Sequence, residues 1–254
     1  MTEVKTSVLK TLKAMKNTET KLPINISSFE RLTQNNMLYV DKTELIYNFI
    51  STTGQYFLSR PRRFGKTLLI SLMRFLFMGK KEYFENLWIG KNNRWDFKKF
   101  PVILLDFNGI TNETPDEFKL MLGNALVEIS ENYEITLKQS RLKERLKELI
   151  LKLYKKYDSK IVIFIDEYDK PIIDHLGAGD DRLDIAIKNR NILKSFYGTL
   201  KENSVDNALY LLFITGVSKF SHTSIFSDLN NLTDLTMDKE YASLLGYTEE
   251  EIQF

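Results

Sequence analysis

A candidate phosphate-binding loop lies at Gly65-Lys66-Thr67. In such a loop Gly lets backbone N–H groups approach the phosphates, Lys brings a point charge, and Thr offers a hydroxyl to Mg²⁺. The general pattern G-x-x-x-x-G-K-S/T is incomplete here, because its first position is Arg60. The tripeptide alone is weak support. The alternative is a turn that ends at Gly65, with Lys66 solvated at the start of a helix.

A candidate metal and water site lies where the apolar run 161–165 ends in Asp166 and Glu167. At the carboxyl end of a strand, Asp166 can hold Mg²⁺ directly or through water, and Glu167 can polarise an attacking water. Thr215, at the end of another apolar run, is placed to contact the γ-phosphate or that water. The alternatives are that Asp166 and Glu167 only cap a turn and that Thr215 ends an ordinary strand.

Four short apolar runs predict the strands that must position these residues, at 56–58, 102–105, 161–165 and 209–214. The last three are continuous rather than alternating, which is typical of strands in a parallel sheet covered on both faces by helices. The loop falls between the first run and TLLISLMRFLFM at 67–78, a segment apolar on almost every face that predicts a buried helix. This strand-loop-helix setting strengthens the phosphate-loop interpretation.

Helices are predicted between these strands. A capping box at Thr114 and Glu117, with Pro115 between them, starts one helix, which a stripe of apolar residues extends to about 129. A second apolar stripe predicts another helix at 142–157, and a third helix is expected at 182–203. Asp41 and Glu44 have capping-box spacing, which predicts a helix over 42–50. Strands alternating with helices indicate a doubly wound α/β domain.

Composition limits the function classes. The chain has 254 residues, 43% of them hydrophobic, and this length fits one large domain or two small ones. It has 36 Lys plus Arg against 34 Asp plus Glu, so its net charge is only +2. A nucleic-acid partner would therefore need a local basic patch. The absence of cysteine excludes disulfides and thiolate metal sites, and His175 and His222 have no metal-pair spacing. With no secretory signal and no membrane-spanning run, a cytoplasmic location is expected.

One basic segment has the charge of a surface that could follow a phosphate backbone. The predicted helix region 138–156 carries eight Lys or Arg residues against Glu144 and Glu148. No aromatic residues alternate with these cations in a way that suggests base stacking. A solvated helix face is therefore favoured over a nucleic-acid site, and nucleic acid is a partner that the sequence does not support.

Five segments, in order along the chain, resemble the AAA-ATPase-like family of microbial proteins. They are YVDKT at 39–43, LSRPRRFGKT at 58–67, IDEYDKPI at 165–172, ITGVSKFS at 214–221 and FSDLNNLTDLT at 226–236. The family's own loop reads RPRRFGK-S/T, so Arg60 is the family's variant of the first loop position. The resemblance runs from about residue 22 to the end of the chain.

The resemblance implies a P-loop NTPase fold of the ASCE or AAA-like subclass, doubly wound, with a mostly parallel sheet of about five strands flanked by helices. It implies ATP or ADP with Mg²⁺ as ligands. Thr67 and Asp166 would hold the metal, and Glu167, Lys66 and Thr215 would act in catalysis. The residues expected to bind the nucleotide are Arg62, Arg63, Phe64, Gly65, Lys66, Thr67 and Leu68.

The expected organisation is an N-terminal arm or short helix at 1–21, an ATPase core at 22–237, and at 238–254 the start of a helical lid that this chain carries only in part. Relatives of this kind often continue into a PD-(D/E)XK nuclease-like domain. The resemblance therefore leaves room for self-association or a downstream domain as partners. Arg182 and Arg190 are candidates for an arginine finger only through their proximity to Asp166 in the sequence.

Two functions remain open from the sequence. The first is a Mg²⁺-dependent ATPase, which Glu167 favours. The second is a nucleotide-binding switch or scaffold with little turnover, which Arg60 and the partial lid favour. A GTPase is disfavoured, because no N-K-x-D tetrapeptide follows a strand to bind the guanine base.

Overall fold

A computed structural model describes residues 21–177, 179–219 and 231–253. The predicted arm at 1–21 lies outside these residues except for Lys21, and so do the last two residues of ITGVSKFS and the first half of FSDLNNLTDLT. All structural statements below concern the described residues.

The fold is built on one sheet of five strands, all of them parallel. The strands are β1 Gly54–Ser59, β2 Val102–Asp106, β3 Ile161–Asp166, β4 Leu209–Gly216 and β5 Leu232–Asp234. The order across the sheet is β2-β3-β4-β1-β5. All four predicted strand runs are confirmed, and β5 is an additional edge strand.

The strand that separates the loop strand from the acidic strand is β4. It pairs with β1 on one side and with β3 on the other. In the sequence it is β2 that falls between β1 and β3, yet β2 lies at the edge of the sheet beyond β3. This order brings the carboxyl ends of β1, β3 and β4 together, which is where ligands bind in open parallel sheets.

Helices cover both faces of the sheet and produce two apolar cores. Along β3 the side chains alternate, so Ile161, Ile163 and Ile165 enter one core while Val162 and Phe164 enter the other. Every residue of β3 is buried. The continuous apolar run in the sequence is thus explained by burial of both faces, and the predicted α/β fold with a parallel sheet flanked by helices is confirmed.

The helices, in chain order, are α1 Phe29–Gln34, α2 Thr43–Ile50, α3 Lys66–Phe77, α4 Trp88–Lys91, α5 Pro115–Asn132, α6 Leu142–Tyr157, α7 Lys170–Ile173, α8 Asp180–Gly198, α9 Asn203–Asp206 and α10 Glu249–Ile252. The helices α2 and α3 contribute to the core that contains Phe164, and α5, α6 and α8 contribute to the opposite core. Among the helices of the described residues, none has both the length and the apolar character needed to cross a membrane.

The predicted helices are confirmed with small shifts in their ends. The predicted helix at 142–157 matches α6, and the helix predicted at 182–203 starts earlier and ends at Gly198, before a 3₁₀ turn. At α5, Thr114 accepts a hydrogen bond from the N–H of Glu117 at 3.2 Å, and Pro115 begins the helix. That half of the predicted capping box is present.

The predicted capping box at Asp41 and Glu44 is wrong. The N-cap of α2 is Lys42, which makes no side-chain capping bond. Asp41 instead accepts hydrogen bonds from the N–H and hydroxyl of Thr43 with one oxygen, and from the N–H of Trp88 with the other. Its carboxylate therefore joins the start of α2 to the start of α4.

This arrangement predicts different costs for two neighbouring substitutions. Asp41→Ala should lower the free energy of unfolding by about 1–2 kcal/mol, because donors at two helix starts lose their acceptor. Glu44→Ala should change it by less than about 0.5 kcal/mol, since Glu44 is exposed. Urea denaturation followed by circular dichroism measures both. Equal losses would instead support the capping box.

Candidate functional site

The candidate phosphate loop joins β1 to α3. Gly65 has φ 91° and directly precedes the first residue of α3, Lys66, and Arg63 has φ 69°. Gly tolerates this left-handed region at no steric cost, so a side chain at Gly65 would be strained, whereas Arg63 adopts the region with its side chain present.

Arg60 anchors the loop where the general pattern has Gly. Its φ is not among the positive values of the described residues, so Gly is not required at this position. Its N–H donates to the carbonyl of Gly216 at 3.2 Å, and its guanidinium donates to the carbonyl of Thr236 at 2.6 Å. Arg60 thereby ties the loop to β4 and to the segment after β5.

The loop presents unpaired backbone donors. From Arg62 to Leu68, no N–H group donates to an acceptor in the described part of the chain. These groups lie at the amino end of α3, where the helix dipole favours negative charge. This is the local geometry that binds phosphate in other folds.

Lys66 lies inside the loop. Its side chain is buried, and its ammonium donates to the carbonyls of Arg60 at 3.0 Å and Pro61 at 3.2 Å. The same nitrogen lies 3.9 Å from Oε1 of Glu167. The sequence-predicted cation and the sequence-predicted carboxylate therefore face each other across the site.

Asp166 connects three elements at the end of β3. Its Oδ2 accepts a hydrogen bond from the hydroxyl of Thr67 at 2.7 Å, and its Oδ1 accepts one from the hydroxyl of Thr215 at 2.5 Å. Asp166 and Thr215 are almost fully buried. The structure thus brings these three predicted residues into direct contact.

Burial raises the pKa of Asp166, and the hydrogen bonds from Thr215 and Thr67 oppose that rise. The negative charge of Asp106, which pairs with Asp166 in the register of β2 and β3, raises the pKa further. Asp106 was not singled out from the sequence, although it also ends an apolar strand run. Its proximity follows from the pairing of β2 with β3.

Glu167 has a strained backbone and a partly buried side chain. Its φ is 53°, in the left-handed region, and its N–H donates to Oδ1 of Asp166 at 3.0 Å. Burial raises the pKa of Glu167, while the charges of Lys66 and Arg62 lower it. A carboxylate with a raised pKa is the better proton acceptor near neutral pH.

Asp169 is an organising residue that sequence reasoning missed. It is completely buried, and its carboxylate accepts hydrogen bonds from the N–H groups of Val217 and Ser218 and from the Ser218 hydroxyl, the last at 2.6 Å. The loop after β4 is therefore fixed to the turn after β3. Asp169 lies within the IDEYDKPI segment at 165–172, and that position is the sequence signal that could have identified it.

The remaining predicted residues lie at different depths. Arg62, Arg63 and Phe64 are exposed on the loop, and Leu68 packs partly buried against the core behind α3. Arg182, one of the two candidate arginine fingers, has other partners. Arg182 donates to Glu113 at 2.8 Å and to His175 at 3.2 Å, so its guanidinium is already engaged away from Lys66 and Asp166.

The donor set fits Mg²⁺ bound together with phosphate. Thr67 and Asp166 present hard oxygen atoms 2.7 Å apart, which suits this ion. No group of three or more His, Cys, Asp or Glu in the described ranges could hold a metal. Mg²⁺ commonly binds through one or two protein oxygens and completes its shell with water and phosphate oxygens, so the residues present are sufficient.

The segment predicted to begin a lid lies beside the loop. Leu245 Cδ2 is 3.8 Å from the position that a Cβ on Gly65 would occupy, and Phe64 is equally close to that of Gly246. Further on, Glu251 of α10 accepts a hydrogen bond from the buried Lys42 at 2.5 Å. The lid function of this segment stays a prediction.

Comparison with known proteins agrees with this geometry. The sequence profile of the Predicted AAA-ATPase family matches residues 23–226. A protein of Azotobacter chroococcum mcd 1, described as "Uncharacterized protein in vnfD 5'region", is 35% identical over 234 residues, which are 91% of this chain and 44% of that protein. The chain thus spans less than half the length of this curated relative. With the loop, the acidic strand end and the sheet order in place, the chain belongs to the predicted AAA-ATPase family.

Proposed function

We propose that this chain is a Mg²⁺-dependent ATP-binding domain and an ATPase. The observation that carries the proposal is the contact of Asp166 with both Thr67 and Thr215 at the mouth of the loop. Family membership supports a nucleotide as the ligand. Adenine is the proposed base, because the chain lacks the guanine-binding tetrapeptide.

Each residue has a proposed role. The free N–H groups from Arg62 to Leu68 would bind the phosphates, and Lys66 would bring its charge to the β and γ groups. Thr67 and Asp166 would hold Mg²⁺, which would neutralise charge on the phosphate oxygens when bound. Thr215 would keep Asp166 oriented.

Glu167 is proposed to orient the attacking water. Its raised pKa favours proton acceptance, and its strained backbone directs it from the end of β3. Strain of this kind persists where the surroundings fix the residue and is common at active sites. Asp169 would act as a positioning residue, because it fixes the loop that follows Thr215.

A nucleotide-binding switch with little turnover is the second candidate. It is favoured by the 3.9 Å approach of Lys66 to Glu167, which engages the carboxylate that would have to face water. Turnover also needs further positive charge on the γ-phosphate, and an arginine from elsewhere is worth about 10³–10⁵ in rate. We therefore propose that this chain alone hydrolyses ATP slowly.

Lys66→Ala should weaken ATP binding by about 30- to 150-fold, because one charge-assisted phosphate contact is worth on the order of 2–3 kcal/mol. Isothermal titration calorimetry in the presence of Mg²⁺ measures the loss. Lys155→Ala is the control, since Lys155 is exposed and forms no ion pair among the described residues. Equal affinities for wild type and Lys66→Ala would contradict the proposed site.

Glu167→Gln should separate the two candidate functions. Affinity for ATP should stay within about twofold, since the substitution keeps size and removes only one charge, and residual phosphate release should disappear. Glu131→Gln, on the exposed side of α5, is the matched control. Unchanged phosphate release in Glu167→Gln would instead favour the switch, because the residual release would then not depend on Glu167.

Asp166→Asn should remove the Mg²⁺ dependence of ATP binding, because a neutral amide is a poor ligand for this ion. Calorimetry with Mg²⁺ and with EDTA measures that dependence. Retention of the full Mg²⁺ effect in the variant would contradict the assignment of Asp166.

The same substitution tests the burial of Asp166. Its raised pKa means that the folded protein binds the proton more tightly than the unfolded chain, so this stabilisation exists at low pH and is lost as pH rises through the folded pKa. In EDTA at pH 7, Asp166→Asn should therefore have a Tm equal to or above that of wild type, with the difference shrinking toward pH 4. A clearly lower Tm at pH 7 would show that the ionised carboxylate is net stabilising.

A further inference from the structure

A groove opens at the amino ends of the strands, at the edge of the sheet opposite the phosphate loop. Its volume is about 530 Å³. Phe100, Lys160 and Tyr210 line it, and they stand just before β2, just before β3 and near the start of β4. At about 3.3 Å per strand residue, strands of five or six residues place the groove on the order of 17–20 Å from the loop.

Aromatic side chains form part of the groove lining. The rings of Phe100 and Tyr210 are 4.6 Å apart between centroids, and both are half-buried. Tyr47, also half-buried, lies 5.7 Å from Trp88. Trp95 also lines the groove, is largely buried and packs against Phe77. The half-buried rings offer faces on which a planar group can stack.

Cations surround these rings without carboxylate partners. Arg94, Lys98 and Lys160 line the groove, and none of them forms an ion pair with a described residue. The Lys98 ammonium lies 5.5 Å from the centroid of the Phe100 ring. Asp96 also lines the groove, but one of its oxygens accepts the N–H of Lys98 at 3.0 Å. The lining therefore has an excess of positive charge.

The basic face of α6 differs in this respect. Lys143 and Lys147 both pair with Glu202, at 3.3 and 2.5 Å, and Lys152 pairs with Glu148 at 2.7 Å. Each of these three lysines has a carboxylate partner, which agrees with the solvated face favoured from the sequence. Among the described residues, Arg94, Lys98 and Lys160 of the groove differ from these three lysines in having no ion-pair partner.

We propose that this groove binds single-stranded nucleic acid, with a base stacked on the aromatic lining and the flanking phosphates on Arg94, Lys98 and Lys160. Stacking platforms inside a positively charged groove are the general means of binding single strands without sequence preference. A free nucleoside polyphosphate fits less well. Ser51, at the carboxyl end of α2, lines the groove, and the negative end of a helix dipole opposes a concentrated polyphosphate.

The test is fluorescence anisotropy of a labelled oligothymidylate with the full chain at low salt. Lys98→Glu and Lys160→Glu should each weaken binding on the order of tenfold, because each replaces a phosphate-binding cation by an anion. Lys155→Glu makes the same charge change on the exposed, competing face of α6 and should leave affinity within about twofold. Thermal denaturation checks that each variant is folded.

A second pair of variants tests stacking. Tyr47→Ala should weaken binding at least about fivefold, since a base on an aromatic ring is worth about 1–3 kcal/mol. Tyr154→Ala removes an exposed ring from α6 and should have no effect. For wild type, the logarithm of the association constant should fall with the logarithm of salt concentration with a slope of about −2, as expected for three phosphate contacts on a single strand.

Several outcomes would overturn the proposal. Wild type that fails to bind the oligonucleotide at low salt would do so, and so would equal losses for Lys98→Glu and Lys155→Glu. Loss of binding in Lys66→Ala would place the strand at the phosphate loop instead. Thymidine monophosphate that competes as tightly as the oligonucleotide would assign the groove to free nucleotides. Since Lys66→Ala tests the ATP site separately, failure of either proposal leaves the other standing.

Discussion

The buried carboxylate of Asp166 is the interaction on which the candidate site depends. Removing a carboxylate from water is costly, and here hydrogen bonds from Thr67, Thr215 and the N–H of Glu167 offset part of that cost, while burial still raises the pKa of Asp166. These partners belong to α3, to β4 and to the turn after β3. The carboxylate therefore fixes the relative positions of the elements that carry the predicted chemistry.

Two further residues, Asp169 and Arg60, fix the segments around the loop through hydrogen bonds. The carboxylate of Asp169 accepts hydrogen bonds from the N–H groups of the segment after β4. Arg60 ties the loop to β4 and to Thr236. Gly65 supplies the left-handed backbone that turns the chain into α3. The loop lacks the first Gly of the general pattern because its backbone needs no left-handed residue there. An arginine at that position adds anchoring bonds instead.

Much of the fold could be predicted because continuous apolar runs such as 161–165 indicate strands whose side chains are buried on both faces of the sheet. The capping box at Asp41 was wrong because spacing alone does not reveal that Trp88, far along the chain, competes for the carboxylate. The edge strand β5 is only three residues long and gives little periodic signal. Asp106 acquires its electrostatic role only through the register of β2 with β3, and the groove combines separate segments that only the sheet order brings together.

The central claim is that Thr67 and Asp166 act on one Mg²⁺ ion in the nucleotide complex. The most direct measurement is a double-mutant cycle with Thr67→Ala, Asp166→Asn and the combined variant, in which calorimetry gives ATP affinity at saturating Mg²⁺. If both residues serve the same ion, the double variant should bind ATP about as well as the weaker single variant. Strictly additive losses in the double variant would show that the two residues act independently, and would contradict the account.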